Sequence, residues 1–256
     1  MAPMKLYGST LSWNVTRCVA VLEEAGAEYE IVPLDFSKGE HKAPDHLARN
    51  LLLISESIER KGMGKVTGVK KAIGRQRTNK CLHLIFRGTK EPFGQVPALQ
   101  DGDLFLWESR AICKYVCRKN KPELLKDGDL KESAMVDVWL EVESNQYTPA
   151  LNPILFQCLI RPMMFGAPPD EKVVEENLEK LKKVLEVYEA RLTKCKYLAG
   201  DYISVADLSH VAGTVCLGAT PHASVLDAYP HVKAWWTDLM ARPSSQKVAS
   251  LMKPPA

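Results

Sequence analysis

No stretch of about 18 consecutive apolar residues occurs in this sequence, so no membrane-spanning helix is expected. The opening residues, Met-Ala-Pro-Met-Lys-Leu-Tyr-Gly, lack a basic segment followed by an apolar run, so no secretory signal is expected either. No Cys-x-x-Cys pair is present. The seven cysteines (Cys18, Cys81, Cys113, Cys117, Cys158, Cys195 and Cys216) are odd in number and scattered. That pattern predicts free thiols in a reducing, cytoplasmic compartment, mostly filling the core, with no metal site. Cys113 and Cys117 share one face of a helix, where packing is expected rather than redox chemistry. A net charge of +3 over 256 residues is too weak to imply nucleic acid or a membrane as partner. There are no internal repeats and no low-complexity runs. The 46% hydrophobic and 25% charged residues are those of an ordinary globular chain, long enough for one large domain or two small ones without staples.

The first part of the chain alternates strand and helix signals. Met4–Tyr7 reads as a short strand, Gly8–Asn14 as a turn rich in capping residues, Val15–Ala25 as a helix closed by Gly26, and Tyr29–Pro33 as a second strand. Val96–Gln100 and Leu104–Leu106 flank Asp101-Gly102-Asp103, a hairpin signal, and Ser109–Lys119 follows as a helix. The order β-α-β, an intervening stretch, then β-β-α predicts an α/β thioredoxin-like domain over residues 1–120. Residues 121–129 are polar and read as a linker. Residues 130–256 read as an all-helical C-terminal domain. There Val174, Leu178, Leu181, Leu185, Tyr188 and Leu192 form an amphipathic stripe that is read as a core face. Ser204-Val-Ala-Asp207 is a capping box, Val232–Met240 a further helix, and Pro243 the start of the tail.

Leu51–Glu91 departs from its surroundings. It holds ten Lys or Arg against three Glu, so the rest of the chain is slightly acidic; it also has five glycines and no clear period. Joining Asn50 to Pro92 restores a normal thioredoxin-like spacing. Three readings stay open: a disordered basic loop, which loop-closure entropy makes inexpensive; a polyanion-binding loop; or translated intron.

Chemistry is expected around Pro97 and Ser109. A proline entering a strand cannot donate to the ladder, and if the bond before it is cis, Val96 presents its backbone N–H and C=O sideways to a peptide ligand. Glu108-Ser109 stands at the start of a helix, where backbone N–H groups and the positive end of the dipole bind a carboxylate. The Glu108 side chain would bind an ammonium. Both ends of an amino acid thus find complementary groups, although Glu-Ser also suits a plain helix cap.

These residues carry a family resemblance. With Asn50 joined to Pro92, the run Asn-Pro-Phe-Gly-Gln-Val-Pro-Ala-Leu-Gln-Asp-Gly-Asp, continued by Glu-Ser-Arg-Ala-Ile-Cys-Lys-Tyr, resembles the phi-class glutathione transferases of cereals. So do Met4–Asn50 and the chain from Leu124 to its final Lys-Pro-Pro-Ala. The resemblance implies the cytosolic glutathione transferase fold and a homodimer, or a heterodimer with a related subunit. Gln95, Val96, Glu108 and Ser109 match residues that hold the γ-glutamyl and cysteinyl parts of glutathione, with Pro97 cis. His41 and Lys42 match those that bind its glycine carboxylate, although a solvated loop is the plain reading of the pair. Leu11, Trp13, Phe36, Phe156 and Ile160 match the wall for hydrophobic electrophiles, each of which alone would be read as core.

Ser12 matches the catalytic serine. It ends the turn before a helix, where a hydroxyl donor and the helix dipole both favour a thiolate. Ser9, Thr10, Ser12 and Asn14 could each serve instead as caps. Arg17 matches a basic residue near the site, and Tyr7, at the end of the first strand, is the rival hydroxyl. The implied activity is conjugation of glutathione to hydrophobic electrophiles, including herbicides, with a peroxidase side activity. Glutathione is a co-substrate and no cofactor is needed. A non-catalytic ligand carrier and an inactive product of a retained intron are the alternatives.

Overall fold

The computed structural model describes residues 2–34 and 95–252. The expectations for Phe36, His41, Lys42, Cys81 and the 51–91 segment lie outside the described residues. By contacts the chain divides into two compact units, Met1–Ser9 with Glu30–Glu108, and Thr10–Tyr29 with Ser109–Ala256.

The first unit is built on a four-stranded sheet in the order β2-β1-β3-β4, with β1 Met4–Tyr7, β2 Tyr29–Val32, β3 Ala98–Asp101 and β4 Leu104–Trp107. β3 pairs antiparallel with both β1 and β4. Met4 and Leu6 are buried, whereas Lys5 points outward and pairs with Glu30 at 3.1 Å. The Asp101–Leu104 pair closes the hairpin. Its loop therefore has two residues, one fewer than the sequence suggested, and Gly102 takes φ 60°, which only glycine adopts freely.

The second unit is helical: α1 Trp13–Glu24, α2 Ser109–Asn120, α3 Leu130–Val142, α4 Thr148–Leu155, α5 Arg161–Phe165, α6 Glu171–Leu192, α7 Val205–Gly218, α8 Pro230–Met240 and α9 Pro243–Leu251. The thioredoxin-like order followed by an all-helical region is the expected architecture. α1 is a core helix, with every residue from Val15 to Leu22 buried. It ends as the sequence proposes: Gly26 has φ 61°, its N–H reaches the Glu23 carbonyl at 3.1 Å, and the Ala27 N–H reaches that of Leu22 at 3.0 Å.

π turns at Glu143–Tyr147 and Phe156–Ile160 separate α3, α4 and α5. Pro149 and Pro162, which have no N–H to give to a helix ladder, each follow a π turn by two residues. In α6 the expected stripe is buried at Val174, Leu181, Leu185, Tyr188 and Leu192, but Leu178 is only half-buried and Asn177 takes the inner place. Its side-chain amide is satisfied by the Val173 carbonyl at 2.8 Å.

The chain beyond Pro243 corrects the sequence reading. It is helix α9 rather than tail, because proline at the first helical position forgoes an N–H that has no intrahelical partner there. Its start is tied to the end of α1. Arg242 grips the Glu24 carboxylate at 2.6 and 3.0 Å, and the Ser244 hydroxyl adds 2.8 Å and Lys121 3.1 Å. Burial would raise the Glu24 pKa, but the bonds from Arg242, Ser244 and Lys121 outweigh it and bring it to about 2.

The interior of the second unit is polar where α6, α7 and α8 meet. The His210 Nδ1–H donates to the Ala206 carbonyl at 2.8 Å, so Nε2 accepts from the Tyr188 hydroxyl at 2.9 Å. Burial pushes the His210 pKa down to about 4 and keeps the ring neutral. Asp207 accepts from the Ser204 N–H and hydroxyl, the Leu198 N–H and the Trp235 indole N–H, at 2.8 to 3.0 Å. The capping-box acid thus reaches back as expected and also anchors α8.

Arg242→Leu removes two of the four bonds that hold the Glu24 carboxylate. Thermal denaturation should show a loss of about 2–3 kcal/mol, the range for stripping a partner from a largely buried charge.

Candidate active site

Ser12 is the N-cap of α1, with extended backbone angles (φ −84°, ψ 117°). Its carbonyl accepts from the N–H groups of Val15 and Thr16, both at 3.0 Å, and from the Thr16 hydroxyl at 3.1 Å. Its side chain makes no capping bond to the helix. The backbone of Ser12 therefore does the work of an N-cap while its half-buried hydroxyl does not. Asn14, another capping candidate, accepts from Arg17 Nη1 at 2.5 Å.

Arg17 lies one turn further along α1 and is 1% exposed. The sequence reading matches it to a basic residue near the site. The structure aims its guanidinium at Glu143, Ser109 and a carbonyl. Nη2 meets Glu143 Oε1 at 3.0 Å, Nη1 donates to the Ser109 hydroxyl at 3.0 Å, and Nε donates to the Ser209 carbonyl at 3.1 Å. Glu143, fully buried, also binds Arg110 at 2.5 Å and accepts from the Thr148 hydroxyl at 2.6 Å. Burial alone would raise the Glu143 pKa, but the opposing charges of Arg17 and Arg110 bring it to about 2. One consequence falls on Ser109. Its oxygen accepts from a guanidinium, which directs its own O–H away from Arg17 as a donor.

In the first unit the Val96–Pro97 peptide bond is cis, with Pro97 buried, Val96 half-buried and Gln95 exposed. Glu108, exposed, has φ 66°. A non-glycine residue in the left-handed region costs of order 1 kcal/mol and is retained where the surroundings demand it. Tyr7 is buried, and its hydroxyl donates to Gln100 on the neighbouring β3 at 2.6 Å. Its oxygen is thus engaged in cross-strand packing.

Of the expected apolar wall, Leu11 and Phe156 are exposed, and Trp13 and Ile160 are half-buried. Leu11 and Trp13 flank Ser12 directly. The Trp13 indole N–H is shielded from solvent and meets no acceptor among the described residues. Phe156 and Ile160 begin and end the second π turn. Exposed Met163, Met164 and Phe165 continue the apolar surface along α5. The thiols behave as packing groups. Cys18 donates to the Ser109 carbonyl at 3.5 Å, Cys113 to the Arg17 carbonyl at 3.8 Å, and burial raises the Cys18 and Cys117 pKa values. No helix of the described residues is long and apolar enough to cross a membrane.

Glu143, Arg110 and Thr148 are the residues that sequence reasoning missed. Glu143 opens a π turn, whose extra residue slips the helical phase, so no 3.6-residue period marks it as inward-facing.

The buried groups make stability acid-sensitive in two windows. Between pH 6.5 and 4 the unfolded chain takes up a proton that His210 refuses in the fold. Between pH 4.5 and 2 it takes up one that Glu143 refuses, and stability falls with pH in both ranges. Urea denaturation across this range should show both losses. Glu143→Gln should make the lower one shallower, leaving the part that Glu24 contributes, and cost about 3–5 kcal/mol at neutral pH, because it strands the buried Arg17 charge.

Comparison with known proteins identifies the family. The model of the glutathione S-transferase N-terminal domain matches residues 2–56 and 88–118, and that of the glutathione S-transferase C-terminal domain matches residues 147–243. The chain is 84% identical over 256 residues to the Oryza sativa subsp. japonica protein named probable glutathione S-transferase GSTF2, with 100% of both chains covered. It is 63% identical over 256 residues to glutathione S-transferase 1 of Zea mays, again with 100% of each covered. The solved structure of glutathione S-transferase I from maize, in complex with an atrazine glutathione conjugate, superimposes with a TM-score of 0.80 at 63% identity, covering 100% of both chains. The chain therefore belongs to the glutathione S-transferase family, and it is a transferase that conjugates glutathione.

Proposed function

We propose that this chain is a phi-class plant enzyme in which Ser12 activates the glutathione thiol for attack on hydrophobic electrophiles. The observation that carries the proposal is the first turn of α1: Ser12 supplies the N-cap backbone but keeps its hydroxyl off the helix. A thiol brought there meets a donor and the positive end of a twelve-residue helix. Both favour the thiolate. Its lone pair forms the new C–S bond, the leaving group departs with its electron pair, and the thiol proton passes to solvent.

Gln95, the Val96–Pro97 backbone, Glu108 and Ser109 hold the γ-glutamyl and cysteinyl parts, and His41 and Lys42 the glycine carboxylate. An O–H turned away from Arg17 suits Ser109 to donate to a carboxylate. Leu11, Trp13, Phe36, Phe156 and Ile160 receive the electrophile. Triazine- or chloroacetanilide-type herbicides are proposed substrates, a reading supported by the atrazine conjugate in the maize relative. Organic hydroperoxides are proposed as a second class. The protein acts in the cytoplasm as part of the stress response, as a homodimer or with a related subunit. Residues 1–120 serve as the glutathione domain, 121–129 as linker and 130–256 as the helical domain, with glutathione as co-substrate and no further cofactor.

The test compares Ser12→Ala with Tyr7→Phe on a chloronitrobenzene substrate. Ser12→Ala should lose about 100-fold or more in kcat, the scale of removing a donor from a developing charge, and Tyr7→Phe should retain turnover. The reverse pattern moves catalysis to Tyr7. Retention on glutathione agarose without turnover would favour the carrier.

A second reading rests on the basic segment. The match to the N-terminal domain runs on both sides of residues 57–87 and omits them, which supports an insertion within Leu51–Glu91. As retained intron it would leave the intact chain with little activity. Deleting 51–91 should then restore glutathione binding and turnover, whereas equal activity of both forms would mark a tolerated loop.

A further inference from the structure

We propose that helix α9 is a strap that positions Ser12, with Thr16 and Met252 as its positioning residues; this rests on the reading of Ser12 as the thiol-activating group. α9 runs along α1 in the opposite direction and is tied at both ends. Its start is fixed to the last residue of α1 by the Arg242–Glu24 and Ser244–Glu24 bonds. Its end is fixed to the first turn of α1, where the Thr16 hydroxyl lies 3.3 Å from the Met252 sulfur.

The same hydroxyl lies 3.1 Å from the Ser12 carbonyl. Thr16 is fully buried, and its single O–H is shared between the two acceptors. Met252 thus holds the Thr16 rotamer that keeps Oγ1 on Ser12. With two backbone N–H groups already on that carbonyl, Thr16 supplies the third bond. These bonds fix the ψ of Ser12, and so the direction of its Cα–Cβ bond. A catalytic donor held by a cap must be held this way, because its own side chain cannot serve as the anchor. The strap also gives the C-terminal residues a task that helix packing alone does not explain. A thioether is a weak acceptor, and a plain core position next to Thr16 would be served equally by leucine.

The experiment uses the full chain and the variants Thr16→Val, Thr16→Ser, Met252→Leu and Ser12→Ala. Amide hydrogen exchange is the first readout, because it does not depend on turnover. Thr16→Val and Met252→Leu should speed exchange at residues 15 and 16 by about tenfold, with residues 19–22 unchanged. Thr16→Ser should behave as the parent. Kinetics is the second readout. Thr16→Val should lower kcat about tenfold with glutathione KM unchanged, shift the pH profile of kcat/KM upward and be rescued by Thr16→Ser. Parent-like exchange in Thr16→Val and Met252→Leu overturns the strap, as does a Thr16→Ser variant impaired as much as Thr16→Val. Full turnover in Ser12→Ala overturns the underlying reading instead.

Discussion

Arg17 and Glu143 bring two opposite charges into the middle of the helical unit, 1% and 0% exposed. Removing both from water costs several kcal/mol per ion, and attraction across 3.0 Å offsets this only if every remaining donor and lone pair is used. Here they are used. Glu143 takes Arg17, Arg110 and Thr148, while Arg17 takes Glu143, Asn14, Ser109 and a backbone carbonyl. The pair therefore fixes α1, α2, α7 and the turn between α3 and α4 to one another through groups that accept no substitute. The N-termini of α1 and α2, where the site residues begin, inherit that rigidity. Packing among leucines and valines would tolerate a shift of a few tenths of an ångström. A forked guanidinium on a carboxylate is less forgiving.

The remaining buried polar groups follow the same rule with neutral partners. His210 is uncharged because its two ring nitrogens face one carbonyl and one hydroxyl, neither of which favours the imidazolium enough to offset burial. The Tyr147 ring lies tilted against that ring, with centroids 4.7 Å apart, and its hydroxyl bonds Thr214 at 2.7 Å. Asp207 has four donors and no cation among them; burial raises its pKa in spite of those bonds. The interior thus places its paired charges, Arg17, Arg110 and Glu143, near the starts of α1 and α2, while His210 stays neutral and Asp207 is held by neutral donors alone.

What could be read from the sequence was local. Gly26 announced the end of α1, Asp101-Gly102-Asp103 the hairpin, and Ser204 with Asp207 the start of α7, because turn and cap chemistry acts over three to five residues. The stripe on α6 was legible because nothing interrupts its period, apart from the exchange of Leu178 for Asn177 at one inner position. Pro243 was misread because a proline ends one helix and begins another with equal ease. Arg17 and Glu143 were hidden for a different reason. They are 126 residues apart, and their meeting depends on a π turn that propensity does not predict. From local chemistry Ser12 was visible only as one of several capping candidates, and it was the family resemblance that singled it out. Its distinction, a side chain that does not cap, exists only in three dimensions.

That distinction carries a stability consequence. A serine that caps its helix contributes about 1 kcal/mol through a bond from its oxygen to a first-turn N–H. α1 forgoes this contribution at Ser12 and has no acidic residue in its first turn to answer its dipole. An isolated helix of twelve residues would not survive such an omission. α1 survives because all residues from Val15 to Leu22 are buried, and because Arg17, Thr16 and Glu24 tie it to its neighbours by side chains. The stability comes from tertiary packing, so the first turn does without a cap from the Ser12 side chain, which is what the part proposed for that hydroxyl beside a thiolate requires.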